Sequence, residues 1–350
     1  MKSLFSFEYP NVWTALALCG EPIVLYGMGN GADKVLDELE KRNIRAAGVM
    51  ASDGFCRYQE FRGFTVKKES DFERELGDFT VALCFGSDLP DVMAHIEEVA
   101  KRHTLLVPNV PVVGSTLMDD KFVVQHRAEI QSACDLLADE ESKRVLKGAL
   151  DFFYTGRLSY LKAIESGKDD VFRDILRLKD ERYLDLGAYR GDTVDEFLHY
   201  TDGYESIAAV EPNPKNFQKL SEHLAGIENA AAVNAGIADR EGVMYVSKGG
   251  GRMAALDPEK GVRVKVTTVD TLECAPTYLK ADIEGMEGAM LRGAARTLKA
   301  CKPKLNIAAY HRTEDFFALI LQLHAIDPAY RIFLRKHPYI PCWDLNIYAI

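Results

Sequence analysis

Two carboxylic acids and two glycines of regular spacing are the residues of this chain best suited to hold a small charged ligand. Residues 182–193 read RYLDLGAYRGDT, which predicts a buried strand, a glycine turn and a polar helix start. Asp185, Gly187 and Gly191 form a D-x-G-x-x-x-G pattern, in which glycine permits positive φ and close approach to a ligand. Glu211 lies 26 positions after Asp185 (211 − 185), where the next predicted strand ends. This combination is how a parallel sheet holds a nucleoside, whose ribose hydroxyls donate to the second carboxylate.

The first position of the turn separates two classes of nucleotide ligand. A dinucleotide site reads G-x-G-x-x-G and holds a pyrophosphate at the helix start. Asp185 would repel a pyrophosphate but would attract a ligand that carries an ammonium and a sulfonium. S-adenosylmethionine has both charges and a ribose for Glu211. The alternative is an ordinary strand, turn and helix without a ligand.

A third segment, residues 277–287, reads TYLKADIEGME and predicts a buried strand that runs into a helix. Strand alternation places Lys280, Asp282 and Glu284 on one face. That charge density is costly in a plain core strand but suits the open carboxyl edge of a parallel sheet. The alternative is a solvated strand end with acids that cap a helix.

A fourth segment, residues 303–312, predicts a strand that ends in Tyr310 and His311. A histidine at a strand end is suited to act as a base at neutral pH. The alternative is a histidine that hydrogen-bonds a neighbouring loop.

In this order, the four segments resemble the FkbM-type family of S-adenosylmethionine-dependent methyltransferases. The matching motifs are D-L-G-A-Y-x-G-D-T, V-E-P-N-P, K-A-D-I-E-G-M-E-G and Y-H-R, and the tail at 331–350 is similar to the closing hairpin of the family. The resemblance covers about residues 180–350. It implies an α/β fold with a C-terminal seven-strand Rossmann-like methyltransferase domain. It also implies O-methylation of hydroxyls on sugars or natural products.

The resemblance also implies a set of residues that bind the methyl donor. They are Asp185, Gly187, Ala188, Tyr189, Gly191, Thr193, Glu211, Pro212, Asn213, Ala235 and Asp282. For the catalytic base, chemistry and position favour His311, with Asp282 or Glu284 as alternatives. Tyr310 and two residues of a glycine-rich loop, Lys248 and Arg252, are candidates to contact the acceptor. Asp282 and Glu284 could recruit a divalent metal, but a lone acidic pair is weak evidence, so no metal is expected.

The front half predicts a second, smaller Rossmann-like domain. Strands alternate with helices, and residues 27–32 form a G-x-G-x-G-A turn with Asp53 beyond the next strand. The domain resembles small N-terminal domains found on sugar-modifying enzymes, and a structural role is favoured over ligand binding. An NAD(P)-linked oxidoreductase would instead bind nicotinamide at Gly27 and Gly29, leaving the Asp185 motif unexplained. A non-catalytic donor-binding or sensing protein is the other alternative.

The predicted boundaries are 1–114 for the N-terminal domain, 115–176 for a helical linker and 177–350 for the methyltransferase domain. Apolar spacing predicts two long linker helices, at 116–138 and 140–166.

Composition limits the partners and the compartment. The chain has 350 residues, a net charge of −10 and 47% hydrophobic residues. An acidic chain argues against a nucleic-acid partner, and no apolar run approaches membrane-spanning length. Seven scattered cysteines without C-x-x-C spacing favour a reduced, cytoplasmic protein. The expected partner is a small-molecule acceptor. The oligomeric state stays open, with a homodimer possible.

Overall fold

The computed structural model describes residues 3–247 and 261–350 as a mixed α/β protein with two compact units. The first unit comprises Met1–Gln131, Arg144–Glu165 and Lys336–Asp344. The second comprises Ser132–Lys143, Ser166–Arg335 and Leu345–Ile350. Within the described ranges, the helices are too short or too polar to cross a membrane.

The first unit is built on a parallel sheet of four strands in the order β2-β1-β5-β6. Its strands are β1 (Ile23–Tyr26), β2 (Ala46–Met50), β3 (Glu60–Phe61), β4 (Phe64–Thr65), β5 (Thr80–Leu83) and β6 (Thr104–Leu106). Its first four helices are α1 (Val12–Leu18), α2 (Asn30–Lys41), α3 (Glu69–Leu76) and α4 (Pro90–Arg102). β1 and β5 are buried along their whole length, as expected for parallel strands covered on both faces. The predicted smaller Rossmann-like sheet is confirmed.

The helices that follow are shorter than the sequence pattern predicts. They are α5 (Asp120–Asp135), α6 (Glu140–Thr155) and α7 (Leu158–Lys162). The predicted continuous helix over 140–166 is wrong, because Gly156 has a φ of +68° and ends α6.

The second unit is built on a seven-stranded sheet in the order β15-β16-β14-β13-β7-β8-β9. Its strands are β7 (Glu181–Leu186), β8 (Tyr204–Val210), β9 (Ala230–Val233), β10 (Gly236–Ile237), β11 (Gly242–Ser247), β12 (Gly261–Thr267), β13 (Tyr278–Ala281), β14 (Lys304–Ala308), β15 (Ile332–Lys336) and β16 (Leu345–Ala349). Its helices are α8 (Lys168–Asp170), a π-helical turn (Val171–Leu176), α9 (Asp192–Tyr200), α10 (Pro214–Leu224), α11 (Val269–Leu272), α12 (Glu287–Gly293), α13 (Ala295–Cys301) and α14 (Asp315–Ile326). The predicted seven-strand Rossmann-like domain is confirmed.

The strand order of the second unit reverses next to β7. The chain runs from β7 outward through β8 to β9, and returns to pair β13 with the other side of β7. Ligands bind at such a switch point, outside the carboxyl ends of the strands, because the two connections diverge there and leave a crevice. Strands β10, β12 and β11 form a separate small sheet.

Gly187 lets the turn after β7 lie against the segment after β13. Its φ is +85°, and its N–H donates to the Val210 carbonyl at 2.9 Å. A Cβ on this residue would lie 2.0 Å from the carbonyl oxygen of Asp282. Glycine is therefore required by backbone conformation and by space at the same position.

Replacing Gly187 with alanine should destabilise the second unit. The left-handed backbone costs a residue with a Cβ about 1–2 kcal/mol, and the overlap with the Asp282 carbonyl adds to that cost. Thermal unfolding followed by circular dichroism should show a lower midpoint for Gly187→Ala. The matched control is Gly226→Ala, where a Cβ would meet no atom within 4 Å. Equal unfolding midpoints for the two variants would contradict the requirement for glycine at position 187.

Candidate active site

A cavity opens at the switch point, beside the carboxyl ends of β7, β8 and β13. Its described lining comprises Gly187, Tyr189, Asp192, Thr193, Val210, Glu211, Pro212, Asn216, Ala235, Gly236, Ile237, Met244, Val246, Lys280, Asp282, Ile283, Glu284, Met286 and Tyr310. Four carboxylates and one lysine belong to this described lining. The cavity therefore favours a ligand that carries positive charge.

Glu211, at the end of β8, is held by backbone N–H groups on both carboxylate oxygens. Oε1 accepts from the N–H of Asn213 at 2.8 Å, and Oε2 accepts from the N–H of Tyr189 at 3.0 Å. Burial raises the pKa of Glu211, and these N–H donors offset part of the rise. The turn after β7 and the segment after β8 thus fix one carboxylate between them. The Asn216 side chain also hydrogen-bonds this carboxylate, and the lone pairs that remain are available to a ligand hydroxyl.

Asp185 lies directly beneath the turn and is completely buried. The Thr193 hydroxyl donates to Oδ2, whereas Oδ1 has no hydrogen-bond partner in the described part of the chain. Burial raises the pKa of Asp185 to about 6, although the nearby Lys280 ammonium opposes the rise. Asp185 is therefore a positioning group behind the cavity wall, and Thr193 connects it to the lining.

Lys280 is the basic member of the described lining. Burial by itself lowers the pKa of Lys280, but the carboxylates of Asp282 and Asp185 raise it above its usual value. Lys280 is therefore a cation at neutral pH. It offsets part of the negative charge that its neighbours bring to the cavity.

Asp282, directly after β13, presents a carboxylate to the cavity with 36% of its side chain exposed. The Tyr310 hydroxyl lies 3.2 and 3.3 Å from its two oxygens. His311 Nε2 lies 3.4 Å from Asp282 Oδ1 and 3.8 Å from Glu284 Oε2. Asp282 is thus a partly exposed carboxylate of the cavity that Tyr310 and His311 orient.

His311 stands behind Asp282, is 1% exposed and does not contribute to the described lining. Its Nδ1 lies 3.0 Å from Oε1 of Glu287, which is fully buried and also accepts from the Ile283 N–H at 2.9 Å. Each ring nitrogen therefore faces a carboxylate, an arrangement that favours the doubly protonated ring. Burial lowers the pKa of His311, but Glu287 and Asp282 raise it to about 9.

One further buried acid belongs to this group of charges. Asp315 accepts from the Arg312 N–H at 2.8 Å and is 4% exposed. Burial and the neighbouring Glu287 carboxylate raise the pKa of Asp315 to about 7. The protonated ring of His311 acts on Asp315 as well, so it stabilises more than one carboxylate in this part of the unit.

Asp282, Glu287 and His311 offer ligand atoms that lie within 4.8 Å of one another, close enough to share a metal ion. However, the imidazole presents a different nitrogen to each carboxylate, so the ring stands between them. Ligands of one ion would instead point to a common centre. The geometry therefore favours an ion-pair chain, and the absence of a metal here stays a prediction.

The structure brings most of the predicted site residues to this cavity. Those in the described lining are Gly187, Tyr189, Thr193, Glu211, Pro212, Ala235, Asp282, Glu284 and Tyr310. Those that belong to the adjoining turns and strand ends but not to that lining are Asp185, Ala188, Gly191, Asn213 and His311. Lys248 and Arg252 lie outside the described residues.

Several lining residues were not assigned to the site from sequence. They are Val210, Asn216, Met244, Val246, Ile283 and Met286. Asn216 could have been predicted from the sequence. Pro214 marks the start of α10 and places Asn216 in its first turn, beside Glu211. Met244 and Val246 could not have been predicted, since they lie on β11 of the small separate sheet.

An open α/β sheet with an acidic cavity at its switch point is a Rossmann-like fold with a candidate ligand site. The family model described as Methyltransferase FkbM domain matches residues 185–340. This stretch is therefore a methyltransferase FkbM domain, as the sequence motifs indicated. This domain is the part of the chain that the family model assigns to methyltransferases.

One solved structure supports the fold of this chain. The methyltransferase FkbM from Methylobacillus flagellatus KT matches with a TM-score of 0.74 and 22% identity, over 99% of this chain and 95% of that chain. Fibrillarin from Aeropyrum pernix, solved with natively bound S-adenosyl-L-methionine, matches with a TM-score of 0.33 and 16% identity, over 49% and 67%. The second similarity is too low to support an argument. No curated protein matches the chain.

Substitution of His311 should change how the stability of the protein depends on pH. The folded pKa of about 9 lies above the ordinary value of 6.5, so the contribution is complete below pH 6.5 and is lost as pH rises through 9. Between pH 7 and 9 the loss should be on the order of 2 kcal/mol, since one pKa unit corresponds to about 1.4 kcal/mol. Urea unfolding at both pH values should show a smaller loss for His311→Gln. The control is His199→Gln, on the exposed face of α9. Equal losses in wild type and His311→Gln would contradict the imidazolium.

Proposed function

We propose that this chain transfers a methyl group from S-adenosylmethionine to a hydroxyl of a sugar or another natural product. The observation that carries the proposal is the position of Asp282. Its half-exposed carboxylate shares one cavity with Glu211, so a group suited to accept a proton faces the same space as a group suited to hold a ribose.

Glu211 would bind the donor through its ribose. Backbone N–H groups already orient both of its oxygens, so the remaining lone pairs point in fixed directions. The methionine part would lie along the turn after β7, near Gly187, Tyr189 and Thr193. The adenine would lie between Pro212 and Ala235, which line the cavity beyond Glu211.

Charge favours this donor over a nicotinamide dinucleotide. A sulfonium and an ammonium gain from the four lining carboxylates, whereas a pyrophosphate would be repelled by them. The front glycine turn, where a nicotinamide dinucleotide would bind, is packed against an aromatic ring at Gly27. A Cβ on Gly27 would lie 2.8 Å from the Phe85 ring, so an aromatic side chain packs against that turn. We therefore favour a structural role for the front glycine turn.

Methyl transfer is an in-line displacement on an activated donor. The acceptor oxygen forms a bond to the methyl carbon, the carbon–sulfur bond breaks, and its electron pair stays on sulfur to give S-adenosylhomocysteine. Alignment and exclusion of water provide most of the rate enhancement. The hydroxyl proton must leave, and a positioned base assists its removal.

Asp282 is the base that we favour. It is an acceptor at the cavity surface, whereas His311 lies behind it with both nitrogens facing carboxylates. His311 would then position Asp282 and stabilise its charge. The Tyr310 hydroxyl, bonded to the same carboxylate, would help to orient it. Glu284 lines the cavity and remains the second candidate.

The donor site can be tested without knowledge of the acceptor. Calorimetric titration with S-adenosylhomocysteine should give micromolar affinity for wild type, on the order of −8 kcal/mol. Glu211→Ala should weaken it at least tenfold, because the ribose hydroxyls lose their acceptor. Glu222→Ala, on the exposed side of α10, is the matched control and should bind like wild type. An absence of binding to wild type would reject the methyltransferase mechanism at this cavity.

The proposed base can be tested with a panel of methyl glycosides and hydroxylated natural products as acceptors. With methyl-labelled donor, Asp282→Asn should reduce kcat by about 10²–10⁴-fold, because the isosteric amide cannot take the proton. Its affinity for S-adenosylhomocysteine should change by less than about tenfold, which separates turnover from donor binding.

His311→Gln is the comparison variant for this experiment. It should retain more turnover than Asp282→Asn if His311 only positions the carboxylate. A larger loss in His311→Gln would move the role of base to the histidine. Donor binding without turnover on any acceptor would favour a non-catalytic donor-binding protein.

A further inference from the structure

A second group of charged side chains lies in the first unit, away from β7 and its turn. Helix α3 carries Glu69 and Glu73, which are four residues apart and therefore neighbours on one helical face. His103 follows the last residue of α4 and precedes β6. Its Nε2 lies 3.5 Å from Glu69 Oε1 and 3.6 Å from Glu73 Oε1. One imidazole nitrogen thus faces two carboxylates.

The His103 ring is held in place by packing. The side chain is 7% exposed, and the ring stacks on Phe79 with 4.0 Å between centroids. Within residues 3–247 and 261–350, the buried Nε2 has no hydrogen-bond partner. A buried polar atom in this state costs free energy that a ligand would recover. The packing therefore aims an unsatisfied nitrogen at the carboxylate pair.

The separations match those around a tetrahedral ion. With metal–ligand bonds of about 2.0–2.2 Å, neighbouring ligand atoms lie roughly 3.3–3.6 Å apart. The two measured nitrogen–oxygen distances are 3.5 and 3.6 Å, and all three ligand atoms lie within 4.8 Å of one another. Both carboxylates lie near the same nitrogen of the ring, Nε2. In this respect the cluster differs from the chain at His311, whose ring stands between its two acids.

Arg102 competes for the same oxygens. Its Nη2 donates to Glu69 Oε1 at 2.6 Å, and its Nε lies 3.7 Å from Glu73 Oε1. Its side chain is 45% exposed, so the guanidinium can turn into solvent when another cation takes its place. The alternative is an ion-pair network in which Arg102 is the permanent counter-ion.

We propose that Glu69, Glu73 and His103 bind one divalent transition-metal ion of the zinc class. Imidazole suits such ions, and two carboxylates neutralise the charge. The bound ion would join α3 to the junction of α4 and β6 and so stabilise the first unit. This site is independent of the proposed methyl transfer, and it revises the expectation that the chain holds no metal.

The test is metal titration of the full-length chain after chelator treatment, in a buffer with a non-thiol reductant. Co²⁺ followed by visible absorption, and Zn²⁺ by competition, should show one ion bound with micromolar affinity. His103→Gln and Glu73→Gln should each weaken binding at least tenfold. Glu75→Gln is the matched control on the same helix, because Glu75 pairs with Lys67 instead, and it should bind like wild type.

Arg102→Gln separates the two interpretations of the cluster. If the guanidinium competes with the metal, this variant should bind Co²⁺ several-fold more tightly than wild type. A dissociation constant of wild type for Co²⁺ above about 1 mM would overturn the proposal. Equal binding by His103→Gln, or a thiolate-to-cobalt absorption band, would assign the ion to cysteines and would also overturn it.

Discussion

The close approach of two backbone segments at Gly187 is the constraint on which the second unit depends. Because β7 and β13 are parallel neighbours, their carboxyl ends meet at one edge, and the turn after β7 lies against the Asp282 carbonyl. The same turn donates to the Val210 carbonyl and to the Glu211 carboxylate. Three strand ends are thus held together by backbone groups, with the Glu211 carboxylate as the side chain that takes part.

That geometry concentrates negative charge, and the surrounding groups make the concentration tolerable. Backbone N–H groups stabilise Glu211, a tyrosine hydroxyl and an imidazolium stabilise Asp282, and a threonine hydroxyl bonds one oxygen of Asp185. These groups do not fully offset the cost of burying the carboxylates, because the pKa values of Asp185 and Glu211 remain raised by burial. A cationic ligand would supply the missing stabilisation, which is the physical basis for proposing a sulfonium donor.

The two units use one architecture with different results. Both place a glycine turn after the first parallel strand of the sheet, at the point where strand order reverses. In the second unit the space over the turn is a cavity bordered by carboxylates. In the first unit the Phe85 ring packs against Gly27, and the clustered acids lie instead on α3. The fold alone therefore does not define the chemistry.

The two sheets and the residues at the strand ends could be predicted from the sequence, because they depend on local patterns: continuous apolar runs, glycine turns, and acids at strand ends. The Asp185, Glu211 and Asp282 segments were recognisable for this reason. Tertiary structure alone decided the state of His311, since its neighbour Glu287 reaches it only when α12 packs beside the end of β14. It also decided the ends of the linker helices and brought β11 to the cavity. The Glu69, Glu73 and His103 group has no recognisable spacing, because 30 residues (103 − 73) separate its members and only packing brings them together.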